Sequence, residues 1–454
     1  MKSRIITLFF TVLLFAAASA QNNWTSLFDG KTLNGWKKLA GTAEYKVEDG
    51  AIVGITVPKS PNTFLVTEKL YGDFILEMEV MLQDTTLNSG IQFRSQYNPE
   101  KNDGKGQVYG YQYELDPSSR NWTAGIYDES RRGWLYPGTL NPLPAGHFKP
   151  GVYNKVRIEC VGVSMKTWIN DMPAAYVIDN MDREGFIALQ VHSVGTDQQV
   201  GKKIWWKNIR ILTGNIMTKP FPNGMYAVNL IPNSITAYEM KNGWRLLFDG
   251  KTNTGWTGAY KDSFPAKGWV INNGELSVLP SDGGESTNGG DIVTREQFSA
   301  FDLSFDFKIT PGANSGVKYF VTLSEGNTGS AIGLEYQVLD DKLHPDAKLG
   351  RDGNRTLASL YDLIPAQKQE RFVNPPGQWN RGRIVVHPDN RVEHYLNGMK
   401  VLEYVRGSQA YRDLVAISKY KIWKSFGESP KGRILLQDHG NAVSFRSIKI
   451  KTLK

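Results

Sequence analysis

Apolar and polar residues alternate with a period of two along much of this chain. The stretch Phe74 to Met81 reads FILEMEVM, placing Ile75, Glu77 and Glu79 on one side of an extended strand and Phe74, Leu76, Met78 and Val80 on the other. The segments Val156 to Ile169, Phe301 to Ile309, Arg383 to His387 and Ser444 to Lys451 either alternate in the same way or run β-branched and aromatic. Asn170-Asp171, Asn272-Asn273-Gly274 and Asn397-Gly398 supply the residues that tight turns between such strands require. Long segments with helical periodicity are absent. The pattern predicts an all-β fold in which antiparallel sheets bury one face against each other, as in a sandwich or jelly roll.

The chain repeats itself. Trp24 to Trp36 reads WTSLFDGKTLNGW and Trp244 to Trp256 reads WRLLFDGKTNTGW, so nine of thirteen positions coincide at an offset of 220. Further echoes follow in the same order. Asn88-Ser89-Gly90 answers Asn314-Ser315-Gly316, and Tyr127-Asp128 answers Tyr361-Asp362. Leu189-Gln190-Val191-His192 answers Leu436-Gln437-Asp438-His439, now at an offset of 247, so the second copy has gained loop length. A repeat this long is a whole domain and not a solenoid unit. The expected organisation is a first sandwich over residues 24–213, a proline-containing linker over 214–233 and a second sandwich over 234–454. A short capped helix is expected near Ser234 to Met240.

Composition narrows the class. Residues 1–20 carry a basic start, an apolar run and small residues at Ala18 and Ala20, the anatomy of a cleavable export signal. No later apolar stretch is long enough to span a bilayer, so a periplasmic or secreted protein without an integral membrane segment after signal removal is expected. Cys160 is the only cysteine, which excludes a disulfide within the chain and leaves packed cores to hold it. The formal charge of +8 comes from scattered lysines and arginines with no nucleic-acid motif, so nucleic acid is not an expected partner. Zinc-type cysteine pairs, HExxH, GxSxG and phosphate-loop motifs are absent from the sequence.

Strand alternation turns the repeated motifs into polar rows. In the second copy Glu335 and Gln337 share a face, opposite Leu334, Tyr336 and Val338. In the first copy the pair is Gln112 and Glu114, so the carboxylate moves by two residues without changing sides. The same reasoning pairs Gln437 with His439 and Gln190 with His192. Lys318 and Arg94, after the Asn-Ser-Gly turns, are expected on the same cleft, and Tyr361 and Tyr127 are candidates for a stacking ring or a hydroxyl.

These motifs, together with the "EYQVLDD" strand and the closing "ILLQDHGNAVSFRSIKI", resemble the bacterial 3-keto-disaccharide hydrolase domain family over roughly Trp24 to Thr213 and Ser234 to Lys454. The resemblance implies two tandem concanavalin A-like jelly rolls. It also implies cleavage of glycosides whose sugar has been oxidised at carbon 3, with an oligosaccharide or glycoside as the substrate partner. A 3-keto group acidifies the hydrogen on carbon 2, so a base can remove it while the carbon 1 substituent leaves, water adding afterwards. On that reading His439 is the base and Glu335 the acid, with Gln337, Gln437, Lys318 and Tyr361 as polar contacts. A divalent cation could take the lysine's role. The corresponding first-copy set is Gln112, Glu114, Gln190, His192, Arg94 and Tyr127, and Gln112 in place of the family-like glutamate counts against that copy. The competing reading is a tandem lectin that binds sugar without cleaving it.

Overall fold

The computed structural model describes residues 24–281, 284–324 and 331–454; the expected export signal lies outside the described residues. The chain is all-β, as the alternation predicts, and forms two tandem sandwiches. Among the described residues, the first module pairs a nine-stranded with a seven-stranded sheet, and the second pairs an eight-stranded with a five-stranded sheet. Almost every strand contact is antiparallel.

The strand Phe74–Leu82 shows why these sequences fold this way. Phe74, Leu76, Met78, Val80 and Leu82 are buried between the two sheets, while Glu77 and Glu79 on the outer face pair with Arg157, Arg210 and Lys207 of neighbouring strands. Each module has its own apolar core, one centred on residues such as Phe93, Tyr111 and Trp206, the other on Phe301, Phe305 and Tyr336. Cys160 is a free, fully buried thiol in the first core, where burial pushes it up to about 12. No helix among the described residues is long and apolar enough to cross a membrane.

The segment expected as a linker is built into the structure. Val228–Asn229 adds a parallel strand to the edge strand Met172–Ile178, and Phe221 packs edge-on against Trp168 and Tyr176. The short helix Ala237–Lys241 follows, closed by a capping box in which Thr236 and Glu239 satisfy each other's backbone N–H groups. Glu239 is buried and paired with Lys449 of the last strand, which ties the connection to the second module.

Other contacts fix the two modules against each other. Arg381 donates to the carbonyl of Asn229 at 2.9 Å, and the Arg383 guanidinium lies 4.1 Å above the Tyr226 ring. Thr139 donates to the Gly398 carbonyl at 2.6 Å, and the Trp122 and Phe372 rings lie 6.2 Å apart. The outer sheet of the second module thereby faces the open, seven-stranded sheet of the first.

Candidate active site in the cleft between the modules

In the first module the strand Gln107–Leu115 runs between Ser89–Asn98 and Ile126–Glu129. Its register sets Glu114 opposite Gly90, and Gln112 opposite both Gln92 and Tyr127. A Cβ on Gly90 would stand 2.4 Å from Cδ of Gln112, so the glycine is what lets this row of long polar side chains lie across the sheet.

Glu114 sits in a cradle of amides. Asn88 donates to one carboxyl oxygen and Gln112 to the other, each at 2.8 Å, while Gln112 itself accepts from Gln92. The Arg120 guanidinium is 3.9 Å from Glu114 and is held by Asp116 at 2.7 Å. Burial pushes the Glu114 carboxyl up to about 7, outweighing these donors and the nearby cation. Near neutral pH it therefore exists as both acid and carboxylate.

His192 follows the strand Phe186–Val191 and reaches the same cleft. Its Nδ1 lies 2.7 Å from the Ser193 carbonyl, which can only accept, so the neutral ring carries its hydrogen on Nδ1. The lone pair is then on Nε2. Burial lowers the pKa of this imidazole from its ordinary value, partly offset by the Ser193 hydrogen bond, so the neutral, basic form prevails at pH 7. Burial also holds the Tyr127 phenol above its ordinary range, keeping its O–H as a donor.

Glu114, His192, Tyr127 and Gln112 all line one cavity of about 960 Å³. Asn62, Asn88, Arg120, Glu129, Arg132 and Trp134 are among the other residues of its first-module wall, and residues of the second module's outer sheet form the wall opposite. Four of the first-copy residues singled out from the sequence thus meet. Gln190 lies outside the lining, with its amide nitrogen and oxygen both buried and lacking hydrogen-bond partners.

Arg94 corrects the sequence-based expectation. The strand carries a bulge here, with a register slip between Gln92 and Gln96 and a left-handed φ of 48° at Arg94. The guanidinium is turned from the polar row and fully buried, donating to the carbonyls of Gly72 and Gly162 and to Asp73. The second copy has the same bulge, with Phe320 at φ 56°. Cross-strand register shows that the first-copy counterpart of Lys318 is Gln92.

The second copy is arranged differently. Lys318 stands opposite Glu335, and Gln337 opposite Gly316. Lys318, Glu335, Lys419, Tyr420, Trp423 and Glu285 line a cavity of about 260 Å³. Burial pushes the Glu335 carboxyl up to about 7, against the opposing pull of Lys318 and Lys419. That cavity does not include His439, Tyr361, Gln337 or Gln437. The His439 ring lies 5.9 Å from that of His344, and its Nδ1 is buried with no hydrogen-bond partner. The Tyr361 hydroxyl is spent on Asp346 at 2.8 Å, and the Gln437 amide donates to Glu285 at 2.8 Å. The expected partnership of Glu335 with His439 is therefore not assembled around this cavity: Glu335 lies on the strand Leu334–Leu339, whereas His439 lies in the loop after Arg433–Leu436, against His344.

Sequence reasoning missed Asn88, Asn62, Arg120, Glu129 and Trp134. Asn88 was within reach, since it opens the repeated Asn-Ser-Gly motif and register sets its strand beside the acid. Arg120 and Trp134 carry no sequence signal of their own. Among the described residues, no three His, Cys, Asp or Glu side chains group so as to hold a metal ion.

A 3-keto-disaccharide hydrolase of Bacteroides thetaiotaomicron is 40% identical over 233 residues, covering 47% of this chain and 79% of the relative. Among solved structures, one described as a "putative glycosyl hydrolase" from Parabacteroides distasonis matches at 29% identity and a TM-score of 0.43, covering 49% of this chain and all of that one. A carbohydrate-binding module, CBM66 from Bacillus subtilis, matches at 16% identity and a TM-score of 0.28, covering 39% of this chain and 95% of that one. The 3-keto-alpha-glucoside-1,2-lyase-like domain matches twice, at residues 23–212 and 243–451. The chain belongs to the 3-keto-alpha-glucoside-1,2-lyase-like domain family and carries that domain in tandem.

Proposed function

We propose that this chain cleaves the glycosidic bond of 3-keto glycosides, and that the first module's cleft performs the reaction. The observation that carries this reading is that a neutral imidazole with its lone pair on Nε2 and a carboxyl group poised near neutrality line one cavity. His192 Nε2 takes the proton from carbon 2 of the keto sugar, and the electron pair left behind moves toward the keto oxygen as an enolate. Among the donors on the wall, Arg120 and the Tyr127 hydroxyl are assigned to that developing charge. As the bond from carbon 1 to the leaving oxygen breaks, Glu114 delivers its proton to that oxygen. The reverse proton movements then add water across the double bond. Export to the periplasm or outside the cell, read from residues 1–20, belongs to the same proposal.

The test uses 3-keto glycosides and their unoxidised parents in D2O, with products followed by mass spectrometry. Release from the keto forms alone, with one deuterium fixed at carbon 2, is the expected result. Release from unoxidised glycosides without deuterium would sink the elimination mechanism. The aromatic wall of Tyr127 and Trp134 also suits a sugar-binding protein, and glycan binding without any release would establish that alternative.

A further inference from the structure

The cavity's second wall belongs to the other copy of the domain. It is the outer face of that copy's large sheet together with the turn Glu370–Phe372, and Phe372, Trp379 and Arg446 line the cleft there. In the first copy the outer face of the same sheet is covered in part by the connecting segment, Phe221 packing on Trp168 and Tyr176, and its Tyr153, which precedes Asn154 as Trp379 precedes Asn380, sits beneath Lys207. In the second copy Trp379 is fixed in place, with the Arg446 guanidinium 4.0 Å and the Lys308 ammonium 4.7 Å from its ring. Arg446 is in turn held by Asp306, which also binds Arg381.

We propose that the second module serves as a rigid outer wall of the first module's active site, with Trp379 and Phe372 forming the surface that receives the leaving group. This rests on the function proposed above. The wall is static and not a swinging lid, because the contacts from Thr139 to Gly398, Arg381 to Asn229 and Glu239 to Lys449 tie it down at separated points. The space also fits: about 960 Å³ lies at the upper end of the roughly 300–1,000 Å³ typical of sites for drug-sized ligands, so more than one ring can be enclosed. A flat ring in the leaving group has an indole and a phenyl group to stack on there, whereas a methyl group has no face to stack. The ligand class is therefore a glycoside whose leaving group carries a ring, either a second sugar or an aryl group.

The experiment measures calorimetric affinity of the full chain for three ligands sharing one 3-keto sugar: a disaccharide, an aryl glycoside and a methyl glycoside. Trp379→Ala is expected to weaken one or both ring-bearing ligands about tenfold and to leave the methyl glycoside within twofold, with Trp379→Phe restoring most of the loss. A loss confined to the disaccharide identifies a sugar as the natural leaving group, and one confined to the aryl glycoside identifies an aromatic ring. Equal weakening of all three ligands, or of none, would overturn the proposal. Arg371→Ala, at an exposed position of the same wall, gives a second reading if Trp379→Ala does not fold, and selective weakening of ring-bearing ligands is again the expected result. Turnover of the methyl glycoside by the parent chain depends on the chemistry and not on the wall. Turnover without selectivity in the wall variants therefore refutes only this inference, whereas absence of turnover of all three ligands by the parent chain refutes the proposed function with it.

Discussion

Replacing Glu114 with glutamine tests the proposed acid through two independent consequences. The first concerns rate. With His192 as base, active molecules need a neutral imidazole and a protonated Glu114. The pH profile of kcat/KM should therefore rise as His192 loses its proton below its ordinary 6.5, and fall as Glu114 ionises at about 7. General acid catalysis is worth roughly 100- to 10,000-fold, so Glu114→Gln should lose about that factor on a disaccharide and should lose the alkaline limb as well. An aryl leaving group of low basicity needs less protonation, and its rate should fall much less.

The second consequence concerns stability. A carboxyl group that titrates near 4.5 when unfolded and at about 7 when folded holds its proton more tightly in the native state. Stability is then greatest below pH 4.5, falls as pH rises from 4.5 to 7, and is level above that. At about 1.4 kcal/mol per pH unit, the loss is roughly 3 kcal/mol. Glutamine never ionises and escapes this loss, although its amide meets one unfavourable donor from Asn88 or Gln112, at about 1 kcal/mol. Denaturant titrations should find Glu114→Gln about 2 kcal/mol more stable than the parent at pH 8 and no more stable at pH 4. An unchanged alkaline limb in the variant, or equal rate losses for aryl and sugar leaving groups, would refute the assignment of Glu114 as the acid.

Three further outcomes follow from the same geometry. Glu335→Gln should leave turnover of 3-keto glycosides unchanged, since the chemistry is assigned to the other copy, while stabilising the chain at pH 8 through the same proton linkage; a loss of kcat beyond tenfold would move the reaction to the second module. Arg94→Met should destabilise the chain by about 3 kcal/mol, because three hydrogen bonds of a fully buried guanidinium are lost, with kcat per folded molecule unaltered. Lys449→Met should cost about 3 kcal/mol by leaving the buried Glu239 without its cation; burial alone would raise the pKa of Glu239, but Lys449 and the Thr236 and Asn229 hydrogen bonds hold it low, so the parent's stability from this pair should fade as pH drops below about 4.5, and the variant's should not.

Much of the site was legible because strands obey a simple period. Alternation put Gln112 and Glu114 on one face and Glu335 and Gln337 on the other copy's matching face, and the cross-strand register agrees. Arg94 was misplaced because alternation assumes a regular strand and a bulge breaks it. The second copy held a hint, since Tyr319, Phe320 and Val321 are adjacent apolar residues that a regular half-buried strand would not present, and all are buried. The roof over the first cleft could not be read at all. It depends on how two folded modules dock, and docking is set by scattered contacts such as Tyr226 with Ser304 and Arg383, whose sequence separation is large and whose residue types are ordinary.

The two copies differ at the position where the sequence points to the second module and the proposed reaction is assigned to the first. The family-like glutamate at position 335 lies opposite a lysine, in a small cavity roofed by its own module. In the first copy an amide occupies that position, and the carboxyl has moved two residues along the strand to Glu114, where Asn88 and Gln112 hold it beside an open cleft with His192. A two-residue shift preserves the face of the sheet and changes the neighbours. It sets the acid beside a large cavity, which the outer sheet of the second copy closes from the other side. A module that supplies a wall is constrained in its outer face, where Trp379 and Arg446 lie, and not in its own cavity. Exchanging the outer-face residues should therefore alter substrate choice, while changes around Glu335 should alter stability alone.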